Sequence, residues 1–185
     1  MTLLLALACA EPSSKETADT GAPVAGEDTA SRQCDACEGV CFADDTPAET
    51  SAHTEEDVDY PTDPPSSGLH DDCWAPWGVH TEPVPAEAWV HNLEHGGAVF
   101  LWSCEGCEED LRVLESYVAS RPEGRALMTP YPSMSWSFAV VSWEHRLLLG
   151  CFSFDEIDAF YEAHVGQAPE DVTAAPSDDC PDTGA

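Results

Sequence analysis

Two short strings in this chain carry side chains whose types and spacing could do chemistry. The first is His91-Asn92-Leu93-Glu94-His95. On a helix, imidazoles four residues apart share one face and can grip a single metal ion. The order is also the H-x-x-E-H of the inverted zinc peptidases, in which the Glu serves as general base. A small zinc hydrolase with Glu94 as base is therefore one reading. Against it, Gly96-Gly97 follows at once, so any helix is short, and no second long helix clearly offers a third ligand. The plain alternative is that these side chains hydrogen-bond turns around a sheet edge.

The second string is Cys104-Glu105-Gly106-Cys107, after a strand-like run and before a helix-like one. A thioredoxin-like redox pair sits in that position, where a helix N-terminus lowers a thiol pKa. Here Glu105, Glu108, Glu109 and Asp110 crowd the same turn and oppose a thiolate. Thr129-Pro130 resembles the threonine–proline that faces such a pair, but follows sooner than that fold normally allows. A structural disulfide, within the pair or to Cys73 or Cys151, is favoured over a thiol–disulfide oxidoreductase acting through Cys104 and Cys107.

Cysteine usage also speaks to the compartment. The apolar run Leu3 to Ala8 is too short to span a bilayer, which needs about 20 residues, and it stops at Cys9. Small Ala8 just before Cys9, and polar sequence after it, give the pattern of a lipoprotein signal remnant over residues 1–9, with Cys9 acylated. Eight cysteines then remain: Cys34, Cys37, Cys41, Cys73, Cys104, Cys107, Cys151 and Cys180. An even set in an exported chain is consistent with up to four disulfides of undetermined pairing. Cys34-x-x-Cys37-x-x-x-Cys41 could bind zinc with His53 as fourth ligand, but an oxidising compartment favours a disulfide knot.

Thirty-six Asp and Glu stand against six Lys and Arg, a formal charge of −30 over 185 residues. Such a surface repels phosphate backbones and anionic head groups, so nucleic acid is excluded as a partner and membrane contact is left to the lipid anchor. The acids are unevenly spread: residues 10–59 hold 14 of them and residues 170–185 hold 5. Residues 10–52 read as a solvated, largely disordered tether, and 170–185 as an acidic tail unless Cys180 pins it to the body. The globular domain is expected over residues 53–169, as a monomer.

Within that body the patterned elements are a short helix over Ala86–His95 and a strand over Ala98–Ser103. A clear amphipathic helix follows over Glu108–Ser120, then a strand over Arg125–Thr129. Phe138–Trp143 and Arg146–Phe152 read as a hairpin around Glu144-His145, and Asp155–His164 as the last helix. Strand–helix–strand should make a right-handed parallel crossover, to which the hairpin adds antiparallel strands. The expectation is a small mixed sheet with two main helices, α/β or α+β, partly thioredoxin-like in element order. His164 is read as a packing or capping residue; Trp74, Trp77, Trp89 and Trp102 could line a ligand groove, but such aromatic density more often means core. No G-x-S-x-G string and no glycine-rich phosphate loop is present.

The run from His53 through Val58-Asp59-Tyr60, Pro64-Pro65-Ser66-Ser67-Gly68, His70, Trp77-Gly78-Val79-His80 and Pro83-Val84-Pro85 to Trp89–Val99 carries a family pattern. So do Cys104-Glu105-Gly106-Cys107, Thr129-Pro130, Ala139–Trp143 and Phe160–Glu170. Together they resemble the bacterial domain of unknown function 3105, over about residues 53–170. The resemblance implies an exported or membrane-anchored bacterial protein and brings no activity with it. Two positions depart from the pattern: His80, where Tyr is expected, and Asp71, where a second His often follows the first. Family pattern and residue chemistry converge on His53, His70, His91 and His95, with Glu94 as a ligand or the group that orients an imidazole. Imidazole donors suit zinc or copper, so the expected function is a non-catalytic cell-envelope lipoprotein with a His-rich metal site.

Overall fold

The computed structural model describes residues 32–33, 41–48, 50–176 and 180. Cys9, the tether up to residue 31, Cys34 and Cys37 lie outside the described residues, and Cys41 is described through its backbone alone.

Three helices and one mixed sheet make up the described fold. In chain order the elements are β1 (Arg32–Gln33), β2 (Cys41–Asp45), β3 (Gly78–Val79), α1 (Ala86–Glu94), β4 (Ala98–Trp102), α2 (Glu108–Ala119), β5 (Ala126–Pro130), β6 (Phe138–Ser142), β7 (His145–Leu149) and α3 (Phe154–His164). The strand order is β1-β2-β7-β6-β4-β5-β3. β4 and β5 pair in parallel across the α2 crossover, with Ala98 opposite Ala126. β6 and β7 form the expected hairpin, paired antiparallel to β4 through β6. Its loop is Trp143-Glu144, one residue earlier than the sequence pattern implied, and Glu144 adopts the left-handed φ of 67° there.

Alternation along β4 decides what covers each face of the sheet. Ala98 and Phe100 point into a layer with Leu114, Tyr117, Val118 and Ile157, Phe160, Tyr161 from α2 and α3. Val99 and Leu101 point the other way, onto Ala88, Trp89, Val90 and Leu93 of α1. A strand with both faces covered reads as a continuous apolar run, which is why AVFLW shows no polar positions. The short helix α1 thus packs on one face of the sheet together with loop residues such as Met134 and Trp143, and it is buried from Ala88 to Glu94.

The body extends past both expected boundaries. Residues 41–45, within the stretch read as tether, are strand β2, paired antiparallel with β7 from Cys41–Leu149 to Asp45–His145. Their acids are not solvated tether charge. Asp44 binds the buried guanidinium of Arg146 (Nε to Oδ1, 2.8 Å), and Asp45 binds His145 (2.6 Å). A strand held by backbone bonds to β1 and β7 and by ion pairs leaves no apolar periodicity to find. The tail is also fastened: Cys180 is bonded to Cys73, and residues 170–174 lie against the end of α1. Cys104 and Cys107 form the second described disulfide, and Cys151 is disulfide-bonded as well.

Candidate metal centre

Helix α1 presents His91, Glu94 and His95 at positions i, i+3 and i+4, so they share one face. That face lies toward two loops rather than toward solvent. A parallel bridge joins His53 to His70, fixed by Thr54 N–H to the His70 carbonyl (2.8 Å) and His70 N–H to the Ala52 carbonyl (3.3 Å). The following loop is clamped to α1 by Asn92, whose amide accepts from Ala75 N–H (3.0 Å) and donates to its carbonyl (2.9 Å). Asn92 thus explains its own burial and sets the loop that brings His70 to the helix.

One ligand atom from each of His53, His70, His91 and Glu94 lies within 4.8 Å of the other three. The orientation of the rings is as informative as their proximity. His70 Nδ1 donates to the Gly68 carbonyl at 2.8 Å, and His91 Nδ1 donates to the Asp71 carbonyl at 2.7 Å. His53 Nδ1 sits 2.7 Å from Asp72 Oδ1. A carbonyl can only accept, so His70 and His91 carry their proton on Nδ1 and turn an Nε2 lone pair inward. His70 Nε2 faces Glu94 Oε2 at 3.0 Å, and His53 Nε2 faces the same oxygen at 3.8 Å. Rotamer adjustments would bring four such atoms to a tetrahedral zinc, whose bonds are about 2.0–2.1 Å long.

Burial keeps the His91 ring neutral. Desolvation pushes the His91 imidazole down to about 3, against its hydrogen bond to Asp71, and the neighbouring His70, His95 and His53 push the same way. Neutral imidazole is the metal-binding form. His70, His91 and Glu94 are buried, whereas His53 is 44% exposed and forms the rim.

His95 stands one step outside the quartet. Its Nε2 lies 3.2 Å from His91 Nε2 and 3.5 Å from Glu170 Oε2, and burial lowers its pKa. Its Nδ1 is buried with no partner among the described residues. Of the four histidines expected as ligands, three converge with Glu94 and the fourth backs His91. Asp72, Trp74 and Glu170 also border the site. Trp74 packs on the His91 and His95 rings, at centroid distances of 5.0 and 4.4 Å. Only Trp74 carried a sequence signal, and as core. His80, one of the two departures from the family pattern, is buried and donates from Nε2 to the Pro76 carbonyl at 2.7 Å. Asp71 serves His91 through its carbonyl, while its carboxylate accepts from Cys73 N–H at 3.0 Å and shapes the same loop.

The cysteine pair has a different setting. Cys104 and Cys107 are bonded to each other, with Cys107 capping α2 and Glu108, Glu109 and Asp110 filling the first turn. Thr129 lies on the strand beside β4, but its hydroxyl is buried and accepts from Val84 N–H at 3.0 Å. It therefore holds a loop.

A mixed sheet covered on both faces, with three imidazoles and a carboxylate gathered under its shortest helix, defines a small α/β domain bearing a candidate cation site. The chain belongs to the family described as protein of unknown function (DUF3105), whose model matches residues 51–178. Comparison with curated proteins and with solved structures returns no match.

Proposed function

We propose that this protein is a cell-envelope lipoprotein whose folded domain holds one zinc or copper ion without turning over a substrate. The observation that carries the reading is the convergence of three imidazoles on buried Glu94, each with its outer nitrogen already engaged. Metal-bound histidines normally donate their second N–H to a carbonyl or carboxylate, which fixes the ring and raises its basicity. Nitrogen and carboxylate donors suit Zn²⁺ and Cu²⁺, and the described methionines Met128 and Met134 are packed in the apolar layers.

Glu94 fits the role of ligand better than that of base. A hydrolytic zinc keeps three protein ligands and an open position for water. Here the carboxylate is drawn among the imidazoles, and the four protein donors would fill a tetrahedral shell without leaving a position for water. Exposed His53 supplies the side from which a cation arrives. The lipid anchor rests on Cys9 and the run before it, and an exported compartment agrees with the disulfides. No helix among the described residues is long and apolar enough to cross a membrane.

Metal analysis of the purified, tag-free full chain after stripping and reconstitution with zinc or copper tests the reading. About one equivalent is expected, and less than about one tenth of an equivalent of either metal overturns it. Growth with labelled fatty acid should label the wild type and leave Cys9→Ala unlabelled; an unlabelled wild type removes the anchor.

A further inference from the structure

The end of α1 leaves the carbonyls of Glu94, His95 and Gly96 without helical partners, as every helix end does. The chain after α3 supplies those partners. Gly166 N–H donates to Gly96 O (2.8 Å), Glu170 N–H to Glu94 O (3.0 Å) and Val172 N–H to His95 O (3.2 Å). The Trp77 indole donates to the Ala174 carbonyl at 3.0 Å. The Glu170 carboxylate closes on His95. Residues 166–174 are thus a strap, laid over the residues that present the candidate ligands.

Six residues beyond the strap in the sequence is Cys180, which is bonded to Cys73. Cys73 lies in the loop that does the most for the cluster. His70 is a ligand, the Asp71 carbonyl orients His91, the Asp72 carboxylate orients His53, and Trp74 walls His91 and His95. Both cysteines are half-buried rather than enclosed in the core. One covalent bond therefore joins the strap that caps the ligand helix to the loop that orients the ligand rings.

We propose that thiol exchange at Cys73–Cys180 sets how firmly the cluster holds its cation, with the disulfide form retaining it and the dithiol form releasing it. The co-reactant is a dithiol reductant. Its thiolate attacks one sulfur, the Cys73–Cys180 bond breaks, and a mixed disulfide forms. Its second thiol then displaces the protein sulfur, so the reductant leaves as a disulfide and both cysteines end as protonated thiols. Two electrons pass from reductant to protein. The strap then keeps its hydrogen bonds, Glu170–His95 and Arg125–Asp171. The 70–75 loop keeps Asn92 and its main-chain bonds to Ala52, Thr54 and Glu87, but the covalent tie between strap and loop is gone. This inference rests on the metal-site reading for its consequence, and on the disulfide and strap contacts for its cause.

The test uses the full chain and two double variants, Cys73→Ser/Cys180→Ser and Cys104→Ser/Cys107→Ser. Zinc release to a chromogenic chelator and amide exchange at Glu170 and Val172 are measured on each. In Cys73→Ser/Cys180→Ser, both release and exchange should quicken by at least about tenfold, and dithiol-treated wild type should match it. Cys104→Ser/Cys107→Ser should stay within about twofold of the untreated wild type. A folded Cys73→Ser/Cys180→Ser protein, judged by near-ultraviolet dichroism, with wild-type release overturns the proposal. So does unchanged amide exchange. If the wild type takes up no zinc, the metal reading fails by itself, and accelerated exchange at Glu170 and Val172 would still show the disulfide to hold the strap.

Discussion

His70 Nε2 lies 3.0 Å from Glu94 Oε2, and both side chains are shut away from solvent. The ring's other nitrogen spends its hydrogen on the Gly68 carbonyl. With that tautomer, two lone-pair atoms face each other in a place water does not reach, an arrangement that needs a proton or a cation between them. The same inward turn recurs at His91, whose Nδ1 is held by Asp71. At His91 the inward Nε2 meets His95 Nε2 at 3.2 Å, whereas at His70 the ring donor is spent on the periphery and Nε2 faces the Glu94 carboxylate.

Glu94→Gln should separate the two explanations by sign. The amide can donate to His70 Nε2, so the metal-free variant should match the wild type or gain about 1 kcal/mol in urea unfolding. Its zinc affinity, read by competition with a chelator, should fall about 10–100-fold. If Glu94 serves mainly as a structural partner of His70, the substitution destabilises the metal-free protein.

The ligand helix was legible because HNLEH places three chemistry-bearing side chains on one face and Gly96-Gly97 ends it. Its complement was less so. His53 and His70 are 17 residues apart on irregular segments, and only the family pattern brought them to His91. The groups that orient the rings left no trace, because two are carbonyls of Gly68 and Asp71 and the third is one acid in an acidic chain. Strands β2 and β3 escaped for the same kind of reason. β3 is two residues long, and β2 is held by main-chain bonds and by Asp44 and Asp45, whose charges resembled tether.

Acid should weaken the fold through histidines remote from the cluster as well as within it. Burial, and then the neighbouring His145, push His164 down to about 4. The unfolded chain, with its His near 6.5, binds the extra proton between those values. Stability from this group is whole above about pH 6.5 and is lost as pH falls toward 4, by at most about 1.4 kcal/mol per pH unit. His91, at about 3, and His95 add slope of the same sign in metal-free protein. Urea midpoints between pH 7 and 4 should therefore fall less steeply for His164→Phe, which keeps an aromatic ring against Phe160. An equal slope would mean that His164 is already charged in the fold.

The two described disulfides should differ in what they contribute to stability. Cys73–Cys180 closes a loop of 107 residues and Cys104–Cys107 one of 3. In the chain-entropy account the first is worth about 4–5 kcal/mol and the second about 2. Denaturant unfolding of the two double-serine variants should reproduce that order. The reverse order would show that the short staple holds the β4–α2 corner by more than loop closure.

The two glycines after the ligand helix answer to different constraints, and substitution should tell them apart. Gly96 has a φ of +83°, and a Cβ there would also meet the Arg125 guanidinium at 2.9 Å. Gly97 has no such backbone demand. Its obstacle is Trp77, whose ring would lie 2.4 Å from an added Cβ, with the Asn92 carbonyl at 3.2 Å on the other side. That indole cannot simply swing aside, because its N–H holds the strap at Ala174, while Gly97 N–H holds the same Asn92 carbonyl at 3.1 Å. Gly97→Ala must therefore push Trp77 off the strap or shift the end of α1, at a cost of about 1–3 kcal/mol. Either movement reaches the cluster, so zinc affinity should drop together with the urea midpoint. Gly96→Ala should lower the midpoint by about 1–2 kcal/mol through its backbone alone. Its indole fluorescence should stay native, whereas that of Gly97→Ala should shift. A native spectrum and midpoint for Gly97→Ala would mean that Trp77 moves freely and does not tie strap to helix.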